Sequence, residues 1–241
     1  ELIGLFVEDS GLIEAADLPV TKLIPAGCRS MAAVDASAMR RAFRVAAARA
    51  RETLSMVAER WQVQWSFQIT QLAATEETLS RLTADDLLAL SGAPRARRSP
   101  LSERAARVMM EKLPCPVLVM RREGHRRQPV AVLYEGNAAA LAVGRDLARI
   151  YEHPLLVVVA GKDAAARQER EREAAAWLRD QGLSGTVRHI RCDDGREATA
   201  CLRAAYPGLV VIDRCGNLGG ALDLDLLPEQ VDASVVVLGA S

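Results

Sequence analysis

The segment Leu155-Leu-Val-Val-Val-Ala160 is apolar at every position and indicates the fold class. A strand with one face in water alternates polar and apolar residues, whereas an uninterrupted apolar strand is covered on both faces, as in a parallel sheet between two helical layers. Ala38–Arg60 and Ala164–Gln181 have the spacing of crossover helices. The sequence therefore predicts a doubly wound α/β architecture. Further strands are predicted at Leu2–Val7, Val63–Thr70, Leu87–Leu90, Val117–Met120, Val130–Tyr134, Thr186–Arg191, Leu209–Ile212 and Ser234–Leu238.

Charge and hydropathy exclude several classes of protein. The 241 residues carry 31 Lys+Arg and 31 Asp+Glu, so the formal net charge is zero, which argues against a nucleic-acid interface. No apolar run approaches the roughly 18 residues that cross a bilayer, and no signal peptide is present. We therefore expect a cytoplasmic protein with no membrane partner. The 5 cysteines are spread along the chain without a CxxC pair, so we expect reduced thiols and no zinc site.

The chain contains an internal repeat on either side of the polar stretch Arg121–Gln128. The first half ends in Leu113-Pro-Cys-Pro-Val-Leu-Val-Met120, and the second ends in the similar Asp232-Ala-Ser-Val-Val-Val-Leu-Gly239. Only the second half opens with a strand of the kind Pro129-Val-Ala-Val-Leu-Tyr134. We predict two α/β domains in tandem, residues 1–123 and 128–241, the first lacking its opening strand and helix.

These segments resemble the universal stress protein family, in particular its tandem two-domain members. The resemblance is carried by Gly4-Leu-Phe-Val-Glu-Asp9, by the terminal segment around Cys115, and by Pro129-Val-Ala-Val-Leu-Tyr-Glu-Gly-Asn137. It implies an adenine nucleotide alpha hydrolase-like, Rossmann-like sheet of five parallel strands in each domain. It also implies a role in the stress response and, in many members, binding of ATP or ADP.

The second half carries a degenerate form of the nucleotide motif that the resemblance implies. Glu135 and Gly136 stand at the acidic turn after the first strand, and Gly216 and Gly219 form the start of the Gly-x2-Gly-x9-Gly-(Ser/Thr) loop. Glycines and a helix N-terminus bring backbone N–H groups to a phosphate. Where the final Gly-(Ser/Thr) is expected, however, the chain has Glu229-Gln230. The sequence thus predicts a weakened site in which these four residues are the candidate contacts.

The corresponding loop of the first half has lost its second glycine to Arg95. Arg95, Arg97 and Arg98 are suited to bind a phosphate or another anion, and Ser99 is placed to cap the following helix. The alternative interpretation is a solvated loop whose serine is only a helix cap. We retain Arg95 and Ser99 as candidate anion contacts.

No catalytic constellation emerges, since His125, His153 and His189 show neither triad order nor metal spacing. The leading hypothesis is a non-enzymatic interaction scaffold in the stress response that needs no cofactor. Its terminal strands, Val117–Met120 and Ser234–Leu238, would pair to give an intrachain pseudo-dimer and a homodimer. The competing hypothesis is an ATP- or ADP-binding sensor with at most slow ATP hydrolysis.

Overall fold

A computed structural model describes residues 1–18, 22–23, 32–33, 36–91, 113–121, 128–161, 163–183, 185–191, 195–218, 221–224 and 226–239. The chain packs as two compact units, Glu1–Arg81 and Leu82–Ser241. The predicted linker, Arg121–Gln128, lies largely outside the described residues.

The first unit is built on two parallel strands, β1 (Leu2–Glu8) and β4 (Trp65–Gln71), which pair from Leu2↔Trp65 to Glu8↔Gln71. The helices of this unit are α1 (Ser10–Asp17), α2 (Ala36–Trp61) and α3 (Leu72–Leu79), and the two-residue strands β2 (Lys22–Leu23) and β3 (Ala32–Ala33) pair antiparallel between α1 and α2. Asp9 caps α1 by accepting the Leu12 N–H at 3.2 Å. The segment between β1 and α2 thus contains a helix and a pair of short antiparallel strands.

The second unit is built on a seven-stranded sheet in the order β5-β6-β11-β10-β7-β8-β9. Its strands are β5 (Leu88–Ser91), β6 (Val117–Met120), β7 (Val130–Tyr134), β8 (Leu155–Gly161), β9 (Gly185–Arg191), β10 (Leu209–Asp213) and β11 (Ser234–Leu238). Its helices are α4 (Ala138–Ile150), α5 (Ala164–Asp180), α6 (Gly195–Ala205) and α7 (Leu227–Val231). The five strands after residue 128 are mutually parallel, so the predicted parallel-dominated α/β fold is confirmed.

Both faces of the central strands β7, β8, β10 and β11 are buried, as the uninterrupted apolar strands predict. On one face Leu133, Ile212 and Leu202 of α6 belong to one apolar cluster, and on the other Val132, Val211 and Leu141 of α4 belong to a second. Because successive side chains of a strand point to opposite faces, β7 and β10 each contribute to both clusters. This double coverage excludes water from the central strands and leaves the loops at their ends accessible, whereas the edge strands β5 and β9 keep exposed residues such as Ala89 and Arg188.

The two terminal strands pair with each other inside the chain, as the sequence suggested. β6 and β11 are antiparallel, with Val119↔Val235, Leu118↔Val236 and Val117↔Val237 in register. The sheet therefore continues from the second half of the sequence into β5 and β6 of the first half. Strands β5 and β6 thus belong to the second unit, although the sequence analysis assigned their residues to the first domain. The predicted domain limits at residues 123 and 128 stay a prediction.

Candidate functional site

The candidate site lies at the carboxyl ends of β7 and β10. From β7 the chain proceeds through β8 to β9 on one side, and then returns to β10 and β11 on the other side of β7. Such a reversal of strand order opens a crevice beyond the strand ends, which is where α/β sheets bind ligands. The turn Glu135–Asn137 follows β7, and the loop Arg214–Leu218 follows β10.

The structure brings Glu135 and Gly216 together, although not around a ligand. The two carboxylate oxygens of Glu135 accept the Leu218 backbone N–H at 3.1 and 3.2 Å. A Cβ added at Gly216 would overlap Oε2 of Glu135 and lie 2.8 Å from its Cδ. The absence of a side chain at residue 216 thus makes room for the Glu135 carboxylate.

A second set of hydrogen bonds fixes the two loops to each other. The Asn137 amide donates to Oδ2 of Asp213 at 2.7 Å, and Oδ1 of Asp213 accepts the Cys215 backbone N–H at 2.9 Å. Asn137 also caps α4, since its Oδ1 accepts the Ala139 N–H at 2.9 Å. Asp213 is 7% exposed, so these bonds satisfy a carboxylate that is nearly withdrawn from water.

The electrostatics of the crevice are set by Glu135, Asp213 and Arg170 of α5. Burial raises the pKa of Glu135, and the Asp213 carboxylate adds to that rise, while the Leu218 N–H, the Asn217 N–H and Arg170 oppose it. Arg170 itself donates to the Ala160 carbonyl at 2.5 Å. The crevice therefore already holds two carboxyl groups near one guanidinium group, which is unfavourable for a triphosphate.

Gly136 has a conformational role in the turn. Its φ of 112° lies where L side chains are strained, so a glycine is required there. An added Cβ would have only Arg170 Nε within 4 Å, at 3.9 Å. The remaining predicted contacts, Gly219, Arg95 and Ser99, lie outside the described residues.

Sequence reasoning missed Asn137, Asp213 and Arg170 as parts of this site. A signal existed for Asn137, because an Asn directly before an Ala-rich helix is a typical N-cap. For Asp213 the sequence shows only that it ends an apolar strand. The structure adds that this strand is paired on both sides. Arg170 lies within a charged helical run in which the sequence gives no reason to prefer one arginine to another.

The first unit has a cavity of its own, of about 490 Å³, at the carboxyl ends of β1 and β4. Glu8 and Gln71 line it at the strand ends, and α1 and α2 contribute the ion pair Asp17–Arg40 at 3.0 Å. Its carboxyl and guanidinium groups give no excess positive charge for an anion. Within the described residues no group of three or more His, Cys, Asp or Glu side chains is arranged to hold a metal ion.

The fold and the crevice define a Rossmann-like α/β protein with a glycine-containing loop at the switch point of its sheet. Comparison with solved structures is more specific. The chain is similar to a universal stress protein from Archaeoglobus fulgidus DSM 4304, with a TM-score of 0.58 and 13% identity over 99% of this chain and 96% of that one. It is similar to a candidate universal stress protein from Pseudomonas aeruginosa UCBPP-PA14, with a TM-score of 0.56 and 14% identity over 98% and 92%. The resemblance to universal stress proteins is thus confirmed at the level of the fold.

The same fold occurs in a different protein class. The cytoplasmic domain of a prokaryotic cation chloride cotransporter matches with a TM-score of 0.54 and 15% identity, covering 99% of this chain and 96% of that domain. No family model and no curated protein matches the sequence. No helix in the described part of the chain combines the length and apolarity needed to cross a membrane.

Proposed function

We propose that the chain is a universal stress protein-like interaction scaffold that acts in the stress response without catalysis and without a bound nucleotide. The observation that supports this proposal most directly is the position of Glu135. Its carboxylate accepts the Leu218 N–H, a loop amide of the kind that would otherwise be available to an anion. A phosphate entering this crevice must first displace a protein carboxylate.

The antiparallel joint between β6 and β11 supports the intrachain part of the predicted association. Each of these strands has a partner on both sides, so neither is an open edge. An apolar strand such as Ser234–Leu238 would promote aggregation if its edge were unpaired. In this chain it pairs with Val117–Met120 instead. The predicted homodimer through the terminal strands therefore finds no open edge at β6 or β11, and association with another chain must use a different surface.

Nucleotide titration tests the proposal against the sensor hypothesis. The melting temperature of the protein is measured with ATP or ADP and Mg²⁺ up to millimolar concentration. We expect no shift, whereas a ligand at 100 times its Kd would add about 2.7 kcal/mol to the free energy of unfolding. A saturable rise for the unaltered protein would overturn the proposal in favour of a nucleotide-binding sensor.

Two variants make this test specific to the crevice. Glu135→Ala removes the carboxylate from the loop, and we expect it to allow weak binding of nucleotide phosphate. The matched control is Glu169→Ala, which removes an exposed carboxylate paired with Arg172 at 2.8 Å on α5. A nucleotide-induced shift of equal size in both variants would mean that phosphate binds elsewhere. The proposed location remains cytoplasmic.

A further inference from the structure

The cavity of the first unit, of about 490 Å³ at the carboxyl ends of β1 and β4, is lined by charges of both signs. One face of α1 contributes carboxyl groups, and one turn of α2 contributes guanidinium groups, because side chains three, four or seven residues apart share a helix face. The volume lies in the range of about 300–1,000 Å³ that is typical of small-molecule sites. The described lining residues are Glu8 and Gln71 at the strand ends, Ser10, Ile13, Glu14 and Asp17 of α1, and Arg40 and Arg44 of α2.

Only part of this charge is neutralised within the protein. Asp17 and Arg40 form an ion pair at 3.0 Å. Within the part of the chain that the structure describes, the side chains of Glu8, Glu14 and Arg44 take part in no ion pair and no hydrogen bond. Glu8 is half-buried at the end of β1, whereas the other two are exposed. Among the described lining residues, two carboxylates and one guanidinium group are therefore left for a ligand.

These three charges are complementary to those of a basic amino acid. Such a molecule carries two cationic groups, the α-ammonium and the side-chain ammonium or guanidinium, together with one carboxylate. A guanidinium group holds a carboxylate through two parallel N–H···O bonds, so Arg44 is suited to the carboxylate of the ligand. Glu8 and Glu14 are suited to its two cations. Ile13, on the same face of α1, offers apolar surface to the aliphatic stem between them.

Other classes of ligand match the cavity less well. A phosphate or a dicarboxylate would meet three carboxyl groups and only one free guanidinium group, so repulsion would outweigh attraction. A diamine would satisfy the two free carboxylates but would leave Arg44 beside its cations. An amino acid with a neutral side chain would leave one carboxylate unpaired. The count of charges therefore discriminates between ligands of similar size.

We propose that the first unit binds a free basic amino acid, of the lysine or arginine class, in the cavity between α1 and α2. The carboxylate of the ligand pairs with Arg44, and its two cations pair with Glu8 and Glu14. This inference goes beyond the scaffold role, because it gives the protein a small-molecule ligand in the unit that lacks the glycine loop. The nucleotide titration and the amino-acid titration can therefore fail separately.

Isothermal titration calorimetry of the unaltered protein with L-lysine and L-arginine tests the proposal. We expect saturable binding of at least one of them. L-Norleucine lacks the side-chain cation of lysine and cadaverine lacks its carboxylate, so each is expected to bind at least about tenfold more weakly. Absence of binding by both basic amino acids at about 10 mM would overturn the proposal. Equal or tighter binding of norleucine or cadaverine would also overturn it, because the charges would then not select the ligand.

Variants then place the ligand in the cavity. Arg44→Gln is expected to weaken lysine binding by about tenfold but not to weaken cadaverine, which has no carboxylate for it to hold. Glu14→Gln is expected to weaken lysine by a similar factor. The matched controls are Arg41→Gln and Glu59→Gln, which remove the same charges from exposed residues of α2 that are not among the lining residues.

All four substituted side chains are exposed, so we expect the variants to keep the fold, which circular dichroism melting checks. Both controls should bind lysine as the unaltered protein does. If Arg44→Gln weakened lysine and cadaverine equally, or if a cavity variant and its control had the same effect, the proposed position of the ligand would be wrong.

Discussion

Gly216 offers the most informative perturbation, because the structure gives it one specific neighbour. Replacing Gly216 with Ala places a Cβ where the Glu135 carboxylate lies, with the Asp213 carbonyl at 3.3 Å as its next neighbour. The flexible Glu135 side chain moves more easily than backbone does, so its hydrogen bond to the Leu218 N–H is lost. Loss of a hydrogen bond to a charged group costs about 1.5–3 kcal/mol. For a unit of this size that corresponds to a fall in melting temperature of roughly 2–4 °C per kcal/mol.

A double-mutant cycle separates this mechanism from simple crowding of the backbone. In Glu135→Ala the carboxylate is already absent, so adding Gly216→Ala removes nothing more. Since residue 216 is not among the described glycines with positive φ, the added methyl group is then neutral or stabilising by about 0.4–1 kcal/mol. Urea unfolding followed by far-UV circular dichroism measures all four corners of the cycle. Equal destabilisation by Gly216→Ala in both backgrounds would refute the reasoning and assign the glycine to its backbone neighbours.

Three further predictions concern the second unit. The pKa of Glu135 is raised on folding, chiefly by burial, so ionising this group costs stability. The stability of the unaltered protein therefore falls as pH rises from the ordinary glutamate pKa of 4.5 through the higher folded pKa, and urea unfolding of Glu135→Gln shows a smaller fall. Gly144→Ala on α4 drives a methyl group into Cγ2 of Val132 in the core, which lowers the free energy of unfolding by about 1–3 kcal/mol in the same assay, whereas an unchanged value contradicts the helix-to-sheet contact. Cys215 is exposed, while Cys115 is buried and burial raises its pKa; a disulfide reagent therefore modifies Cys215 much faster than Cys115, and similar rates with the fold intact would show that Cys115 is accessible.

The strands and helices of the second half could be predicted closely from the sequence. Val130–Tyr134 and Ser234–Leu238 have the predicted limits, and α5 ends one residue before the predicted Gln181. These elements follow local rules, namely the continuity of apolar residues and the spacing of helical faces. The division of the first half between two sheets could not be predicted in this way, since pairing between distant strands leaves no local signal.

The candidate site shows the same contrast. The resemblance to universal stress proteins assigned Glu135 and Gly216 to one nucleotide motif. It assigned them to a ligand, whereas the structure joins them to each other through the Leu218 amide. Whether the Glu135 side chain fills the crevice or leaves room for a ligand depends on distances of an ångström or less.

The sequence alone thus determined the class of fold and the order of its elements, because these depend on local hydropathy and on the periods of strands and helices. Only the tertiary structure decided that β6 pairs with β11 in antiparallel orientation and that the Glu135 carboxylate occupies the glycine loop. Each of these depends on groups far apart in the chain, and their packing is selected by the free energy of the whole fold.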